Sequence, residues 1–233
     1  MSLYFGNHAG ISPIWQNFIY TAKTAKMQIL ALKRRFGSIF SDGILPDDSS
    51  VFECSSESVT DLWKKLFDIV VERKDLLVNY CAENHLDAKR SDIYAATFDY
   101  MSVSTKPTLL LIESFADLSA AADSDAQKVL CKIFGLCRQY NIYVLGGFYA
   151  ADSFSTRGNA LYSSYNTDNL AMMFGGRCDI QPFGISDRRL SQIKDIQPYN
   201  KCVMLYREQL YDLIMPCGEL TEETQCADDM DIF

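Results

Sequence analysis

The residues best suited to carry out a reaction lie where one apolar run of the chain ends. Thr108 to Ile112 reads Thr-Leu-Leu-Leu-Ile, follows Pro107, and is closed by Glu113 and Ser114. Such a run predicts a strand buried on both faces, as in a parallel sheet covered by helices. In phosphoryl-transfer sites an aspartate in this position holds Mg²⁺, and a glutamate beside it polarises the attacking water. Glu113 and Ser114 therefore occupy the place for this chemistry with altered residue types.

A glycine-containing loop near the amino terminus is the second element with the right context. Residues 3–5 predict a short strand, followed by a turn ending at Gly10 and a helix for which Ser12 is a suitable N-cap. Strand, loop and helix form the context of the phosphate-binding Walker A motif, G-x-x-x-x-G-K-[ST]. In the alignment on Gly10 and Ser12, Phe5 takes the first glycine position and Ile11 the lysine position. Taken by itself, the segment is better explained as an ordinary turn whose serine caps a helix.

The departures from the two motifs predict that hydrolysis is lost. Ile11 removes the cation that would bridge the β and γ phosphates. Glu113 moves the carboxylate outward by about one methylene, and Mg²⁺ tolerates little deviation from octahedral geometry. Ser114 supplies no base near neutral pH. The helix start after Gly10 would still attract phosphate, so we expect ATP binding to be weak or absent, with no resident cofactor or metal.

We therefore assign no catalytic residue and interpret one set of positions as a vestigial nucleotide site. The set comprises loop, helix-start and strand-end residues: Asn7, His8, Gly10, Ile11, Ser12, Glu113 and Ser114. For His8 the simpler interpretation is an exposed turn residue. For Asp117, three residues beyond Ser114, it is a cap of the turn.

The elements that would hold this site alternate along the chain. The predicted strands are short and apolar: 3–5, 27–32, 51–54, 108–112, 142–149, 170–174, 202–206 and 210–215. A long amphipathic helix is predicted from Ser58, irregular structure or a short helix over 85–105, and a loop over 119–126 followed by a helix that Asn141 ends. The paired glycines in 142–149 indicate close approach of a neighbouring backbone or ligand. This order predicts an α/β fold, with a mostly parallel sheet, right-handed crossovers and a carboxyl-terminal hairpin.

Composition limits the partners of this chain. Its 233 residues, 48% of them hydrophobic, predict one domain over 3–218 and a disordered acidic tail over 219–233. The net charge of −8 opposes affinity for nucleic-acid phosphates. The densest basic cluster, Lys33-Arg34-Arg35, is interpreted as a solvated strand end.

The cysteines and the apolar runs exclude further classes. Eight cysteines without a Cys-x-x-Cys pair, and two histidines, predict reduced thiols and no zinc site. No apolar run approaches the roughly 20 residues needed to span a bilayer. We expect a soluble polypeptide, and Met1-Ser2-Leu3 running directly into a strand suggests a fragment of a larger parent chain.

Several segments in this order resemble the FtsK/SpoIIIE motor domains, which have the RecA-like P-loop NTPase fold. They are the helix after Ser58, residues 107–118, residues 136–148 and the hairpin that ends at Pro216. In that family the lead-in to the sensor strand reads roughly Gly-Arg-Ala-x-Gly-Ile-His. Here residues 137–143 read Cys-Arg-Gln-Tyr-Asn-Ile-Tyr, which matches that pattern only in part.

Within that family, the chain is most similar to the last ATPase domain of type VII secretion coupling proteins of the EssC/EccC kind. This resemblance implies a degenerate module at the cytoplasmic face of the membrane, anchored through its parent, that regulates the motor or recognises WXG100-type helical hairpins. It also implies neighbouring ATPase domains, ring assembly of the parent, and an arginine acting in trans, for which the candidates are Arg157, Arg177, Arg188 and Arg189. The alternative is an active ATP-hydrolysing translocase of protein or DNA with an atypical nucleotide site.

Overall fold

One sheet of eight strands organises the chain. The computed structural model describes residues 1–6, 9–41, 43–86, 93–152, 158–165, 170–175, 201–206 and 209–214. The strands are β1 (Ser2–Phe5), β2 (Gln28–Lys33), β3 (Ser50–Glu53), β4 (Thr108–Ile112), β5 (Ile142–Tyr149), β6 (Leu170–Phe174), β7 (Lys201–Tyr206) and β8 (Gln209–Ile214). Their order in the sheet is β3-β2-β4-β5-β1-β6-β7-β8. Neighbours from β3 to β6 pair in parallel and the last two pairings are antiparallel, which confirms the predicted mostly parallel sheet with a hairpin.

Six helices connect the described strands. They are α1 (Ile11–Thr24), α2 (Ser56–Glu83), α3 (Ile93–Ser104), α4 (Phe115–Ala121), α5 (Ser124–Leu136) and α6 (Ala160–Tyr165). Short 3₁₀ turns occupy Ile39–Ser41 and Cys137–Tyr140. Within the described ranges, none of these helices has the length and apolarity that a membrane crossing requires.

Two apolar clusters cover the two faces of the sheet. Helix α1 packs on the face that carries Leu109 and Leu111, whereas α2, α4, α5 and α6 pack on the face that carries Leu110 and Ile112. Successive β4 side chains thus enter different cores, because side chains alternate along a strand. Leu110, Leu111 and Ile112 are 0% exposed, and burial of each stabilises the fold by about 1.5–3 kcal/mol. The uninterrupted apolar run in β4 follows from this double coverage.

A buried arginine on α2 binds the sheet at the amino ends of two strands. One nitrogen of the Arg73 guanidinium, Nη1, donates to the carbonyl oxygens of Tyr140 (2.6 Å) and Asn141 (3.0 Å). The other, Nη2, donates to the Lys106 carbonyl (2.7 Å) and to Thr108 Oγ1 (2.6 Å). These acceptors lie just before β4 and β5, so Arg73 connects α2 to the amino ends of both strands. Burial lowers the pKa of Arg73 below its ordinary value.

Several predicted boundaries need correction. Helix α1 begins at Ile11 with Gly10, not Ser12, as its N-cap, because Gly10 is the last residue with extended backbone angles. Helix α2 begins at Ser56, since the Ser55 side chain accepts a hydrogen bond from the Ser58 amide. The predicted strands 27–32 and 51–54 are each shifted by one residue.

The expected loop at 119–126 is also wrong. Residues 119–121 belong to α4, and α5 starts at Ser124 behind an N-cap from Asp123. The alanine-rich stretch has no apolar period, so the sequence did not indicate α4 or the first residues of α5, although it predicted the rest of α5. Region 85–105 contains α3, in agreement with the short-helix alternative. The tail 219–233 lies outside the described residues, so the tail and the division at residue 218 stay predictions.

Candidate functional site

Polar side chains collect at the carboxyl edge of the sheet. Arg34 follows β2, Glu113 and Ser114 follow β4, and Asp152 lies three residues beyond β5. Because these strands are parallel, their carboxyl ends meet at one edge, which is where open α/β sheets bind ligands. The edge combines the predicted pair with two residues that the motif comparison did not select.

The Glu113 carboxylate is buried and engaged by three donors. It accepts hydrogen bonds from the Arg34 amide (2.8 Å), the Ile39 amide (2.7 Å) and the Ser38 hydroxyl (2.5 Å). Only 1% of Glu113 is exposed. All three donors belong to the segment that follows β2, so the carboxylate ties this segment to the end of β4. An ionised carboxylate offers about four lone-pair positions, and little capacity remains for Mg²⁺.

Ser114 caps a helix at this edge. Its hydroxyl oxygen accepts from the Asp117 amide at 3.2 Å, which makes Ser114 the N-cap of α4. The same hydroxyl donates to Asp152 Oδ2 at 3.1 Å. The expectation that Asp117 caps the turn is wrong, because Ser114 supplies the capping oxygen and the Asp117 carboxylate accepts from Arg34 Nε at 3.3 Å.

Arg34 lies between two of the edge carboxylates. Its Nη2 donates to Asp152 Oδ1 at 3.0 Å, its Nε reaches Asp117, and its guanidinium carbon lies 4.9 Å from the centre of the Tyr149 ring. Burial opposes the charge of Arg34, but Asp152 and then Asp117 hold its pKa above the ordinary value. The interpretation of the basic cluster as a solvated strand end is therefore wrong for Arg34. It holds for Arg35, which is exposed.

The described part of the site has an excess of negative charge. Two carboxylates, Asp117 and Asp152, contact the guanidinium of Arg34, and a third, Glu113, accepts from the Arg34 backbone amide. Burial, and secondarily the charges of Asp117 and Glu113, also raise the pKa of the nearby Cys54 thiol to about 12. A triphosphate needs a concentration of positive charge, and at this edge the carboxylates already neutralise the guanidinium.

Aromatic rings pack around Trp15 in the first turns of α1. Trp15 is fully buried, and its indole nitrogen donates to the Tyr149 hydroxyl at 3.1 Å. The Phe5 ring stacks on Tyr149 with centroids 4.9 Å apart, and Phe40 meets Trp15 edge-on at 5.2 Å. Ile11, which the sequence alignment puts at the Walker lysine position, is half-buried and packs against the apolar core that contains these rings. Hydrophobic packing thus accounts for the isoleucine.

The paired glycines of β5 have the close approach that the sequence predicted. A Cβ atom on Gly147 would lie 2.4 Å from the Glu113 carbonyl oxygen and 2.9 Å from the Trp15 ring. A Cβ atom on Gly146 would lie 3.0 Å from the Tyr165 hydroxyl. The atom closest to this position belongs to the backbone of Glu113. Because Gly147 has no side chain, β4 and β5 can align their ends beside Trp15.

The structure brings part of the predicted set together. Glu113 and Ser114 share one network with Arg34, Asp117 and Asp152. Gly10, Ile11 and Ser12 form the start of α1, and no side chain caps that start among the described contacts. Asn7 and His8 lie outside the described residues, as do Arg157, Arg177, Arg188 and Arg189.

Sequence reasoning missed Arg34, Ser38 and Asp152 as members of the network. A usable signal existed, since charged residues directly after predicted parallel strands share the carboxyl edge. Among the residues that the structure describes, no three His, Cys, Asp or Glu side chains are placed to hold a metal ion. The five cysteines described, at positions 54, 81, 131, 137 and 202, are free thiols.

Comparison with family models and with curated proteins found no match. Solved structures are similar: EssC (ATPases 2 and 3) from Geobacillus thermodenitrificans has a TM-score of 0.65 at 13% identity, over 94% of this chain and 37% of that one. The cytoplasmic domain of EssC has a TM-score of 0.64 at 12% identity, over 94% and 40%. Thermomonospora curvata EccC (ATPases 2 and 3), in complex with a signal sequence peptide, has 0.62 at 11% identity, over 94% and 37%.

These similarities establish the fold. The chain has the mixed α/β architecture of the RecA-like ATPase domains of EssC and EccC, so the predicted resemblance is confirmed at the level of structure. The chain spans well under half the length of these secretion ATPases. Its fold therefore matches one part of each of these longer chains.

Proposed function

We propose that this chain is a catalytically inactive RecA-like ATPase module of a type VII secretion motor. The observation that carries the proposal is the Glu113 carboxylate, which occupies the Walker B position and accepts three hydrogen bonds from the segment after β2. A carboxylate committed in this way holds loop structure, where an active nucleotidase needs it for Mg²⁺. Its neighbour Ser114 is committed as a helix cap.

The start of α1 supports the same conclusion. An active site needs a lysine that reaches the β and γ phosphates, and the residue aligned with it here, Ile11, packs against the apolar core on the α1 face of the sheet. A lysine there would be placed beside buried Trp15. Two elements of the site have therefore exchanged nucleotide chemistry for packing.

The role that remains is regulation of the motor, recognition of its substrates, or both. The similar structures are parts of multi-ATPase secretion chains, and one of them holds a signal sequence peptide. We infer neighbouring ATPase domains of the same parent as partners, secreted WXG100-type helical hairpins as substrates, and anchoring to the membrane only through the parent. The net charge of −8 favours protein over nucleic acid as cargo.

Titration calorimetry with MgATP tests the nucleotide half of the proposal. The expected result is no Mg²⁺-dependent binding in the micromolar range and no steady-state hydrolysis by this chain. Within the parent, this module is likewise expected to add no hydrolysis. Micromolar binding that requires Mg²⁺ would contradict the proposal and favour an active translocase. If hydrolysis appears, Glu113→Gln decides whether this carboxylate supports it.

A binding titration with WXG100-type proteins tests the recognition half. Each candidate is compared with a matched form whose carboxyl-terminal tail is scrambled, and the expected result is saturable binding that depends on the native tail. Absence of binding to every candidate would leave regulation as the only role. Retention of duplex DNA that weakens steeply with salt would point to a nucleic-acid cargo.

A further inference from the structure

The segment that follows β2 contacts both the end of β4 and the first turns of α1. At β4, three of its donors bind the Glu113 carboxylate. At α1, the ring of Phe40 meets Trp15 edge-on at 5.2 Å, and Phe40 itself is only 4% exposed. Between these contacts Gly37 has φ near +63°, a conformation that favours glycine and turns the chain. We call residues 34–40 the strap, because they join two parts of the carboxyl edge.

The first residue of the strap is tied to two further elements. Arg34 Nη2 donates to Asp152 Oδ1 at 3.0 Å, and Arg34 Nε reaches Asp117 Oδ2 on α4 at 3.3 Å. The Asp152 side chain is 10% exposed, whereas that of Asp117 is 31% exposed. Solvent and salt screen exposed ion pairs more than buried ones. The contact with Asp152 is therefore the stronger of the two that hold the start of the strap.

Asp152 links the strap to the turn that leaves β5. Its backbone amide donates to the Tyr149 carbonyl at 3.0 Å, which holds it in that turn. Its second carboxylate oxygen, Oδ2, accepts from the Ser114 hydroxyl at 3.1 Å, so both oxygens are engaged. A shift of this turn would withdraw an acceptor from Arg34, while the backbone pairing of β2 with β4 stays in place. The position of Asp152 can therefore control the strap without disturbing the sheet.

We propose that the strap is an autoinhibitory element, closed in this structure, whose latch is the ion pair of Arg34 with Asp152. In the closed state Glu113 is 1% exposed and Trp15 is fully buried, so neither is open to a partner. When the turn after β5 moves and separates the latch, the strap leaves both residues and the carboxyl edge opens. The sheet stays intact, because no residue of 34–40 belongs to a strand. The inference rests on the proposed function, in which a module without turnover acts on the motor through its conformation.

Amide hydrogen exchange of the intact chain, without nucleotide, tests the latch. Asp152→Ala is expected to speed exchange at the Ile39 and Phe40 amides by about tenfold or more, the effect of losing one hydrogen bond between charged groups. The amides of β4 are expected to keep their protection, and Asp152→Glu, which keeps the charge, to recover part of the protection in the strap. Unchanged exchange in the strap, or equal acceleration in β4, would overturn the proposal.

Further variants separate the latch from the helix cap. Arg34→Gln is expected to speed exchange in the strap at least as much as Asp152→Ala, and combining the two should bring no further change, because the residues act as one contact. Ser114→Ala removes the other contact of Asp152 and is expected to leave the strap closed. Additive effects of the first two substitutions, or an open strap in Ser114→Ala, would contradict the latch.

A surface ion pair supplies the matched control. Asp125→Asn breaks the exposed pair with Lys128 on α5 and is expected to leave exchange in the strap unchanged. None of these measurements involves nucleotide, whereas calorimetry of the wild type with MgATP tests the proposed function. Failure of the latch and failure of the proposed function are therefore separate results.

Discussion

One guanidinium lies at the amino edge of the sheet, where the parallel strands begin, and another lies at the carboxyl edge, where they end. The two groups bind different kinds of acceptor. At the amino edge Arg73 is 5% exposed, and its four acceptors are three carbonyl oxygens and one hydroxyl. At the carboxyl edge Arg34 is more exposed and pairs with the carboxylates of Asp117 and Asp152. Burial lowers the pKa of Arg73, whereas the carboxylates raise that of Arg34.

The two arginines therefore differ in the groups that they hold together. The acceptors of Arg73 include carbonyls at the end of the 3₁₀ turn Cys137–Tyr140, where the backbone dipoles leave partial negative charge. That edge uses its cation to join chain segments. The carboxyl edge instead uses its cation to pair with acidic side chains, so Arg34 offsets part of the charge of Asp117 and Asp152. If this comparison is right, substitutions at the amino edge should cost the most stability.

The largest effect is expected for Arg73→Met. Methionine fills part of the volume but removes the guanidinium donor from four acceptors, of which the Asn141 carbonyl keeps the Thr108 amide, so the free energy of unfolding should fall by about 3–5 kcal/mol. Urea unfolding followed by circular dichroism measures it. Arg73→Lys should recover less than half, since one ammonium cannot reach acceptors spread over two strands. A loss of under about 1 kcal/mol for Arg73→Met would break the comparison.

Gly147→Ala should come next. The new methyl group would lie 2.4 Å from the Glu113 carbonyl oxygen, so β4 and β5 must separate, at a cost of about 3 kcal/mol. Gly135→Ala is the control, because a Cβ atom there meets nothing within 4 Å and lies in α5. It should leave stability unchanged or raise it by about 0.5–1 kcal/mol. Equal effects of the two substitutions would show that the carboxyl edge yields easily.

A smaller loss is expected for Glu113→Gln. The amide nitrogen of glutamine cannot accept from the Arg34 and Ile39 amides, so at least one buried donor loses its partner, at about 1.5–3 kcal/mol. Hydrogen exchange should quicken at Ile39 and Phe40 while the amides of β4 keep their protection. Unchanged exchange in the segment 34–40 would mean that the carboxylate does not hold it.

The pH dependence should be the smallest effect and should appear at both edges. Burial raises the pKa values of Cys54 and Cys137 to about 12, whereas these thiols ionise near pH 9 in the unfolded chain. A raised folded pKa stabilises the native state fully below the unfolded value and loses that contribution as pH rises toward 12. Between about pH 9 and 10, each thiol should therefore cost about 1 kcal/mol of stability.

The matched variants for this prediction are Cys54→Ala at the carboxyl edge and Cys137→Ala at the amino edge. Each should reduce the slope of stability against pH by a similar amount in urea titrations at pH 8, 9 and 10. A slope that responds to only one of them would show that the two environments differ more than their burial implies.

The sequence was a good guide to strands and a poor guide to partners. Strands 142–149 and 170–174 were predicted with their observed bounds, because an apolar run covered on two faces has few alternatives. The positions of Glu113 and Ser114 followed from the same reasoning. Their contacts did not, since Arg34 lies 79 residues from Glu113, and only the parallel pairing of β2 with β4 brings them together. Helix starts were missed where a cap such as Ser55 precedes the apolar period.

The position of β1 in the sheet has a consequence for how the chain folds. Ser2 pairs with Gly146 on one side and with Ala171 on the other, so both partners of β1 lie far along the chain from it. Such non-local pairing slows folding, because loop closure is paid for before the contacts form. Until β1 inserts, β3-β2-β4-β5 and β6-β7-β8 share no backbone hydrogen bond among the described strands. Insertion of β1 is therefore the step that joins the two parts of the sheet.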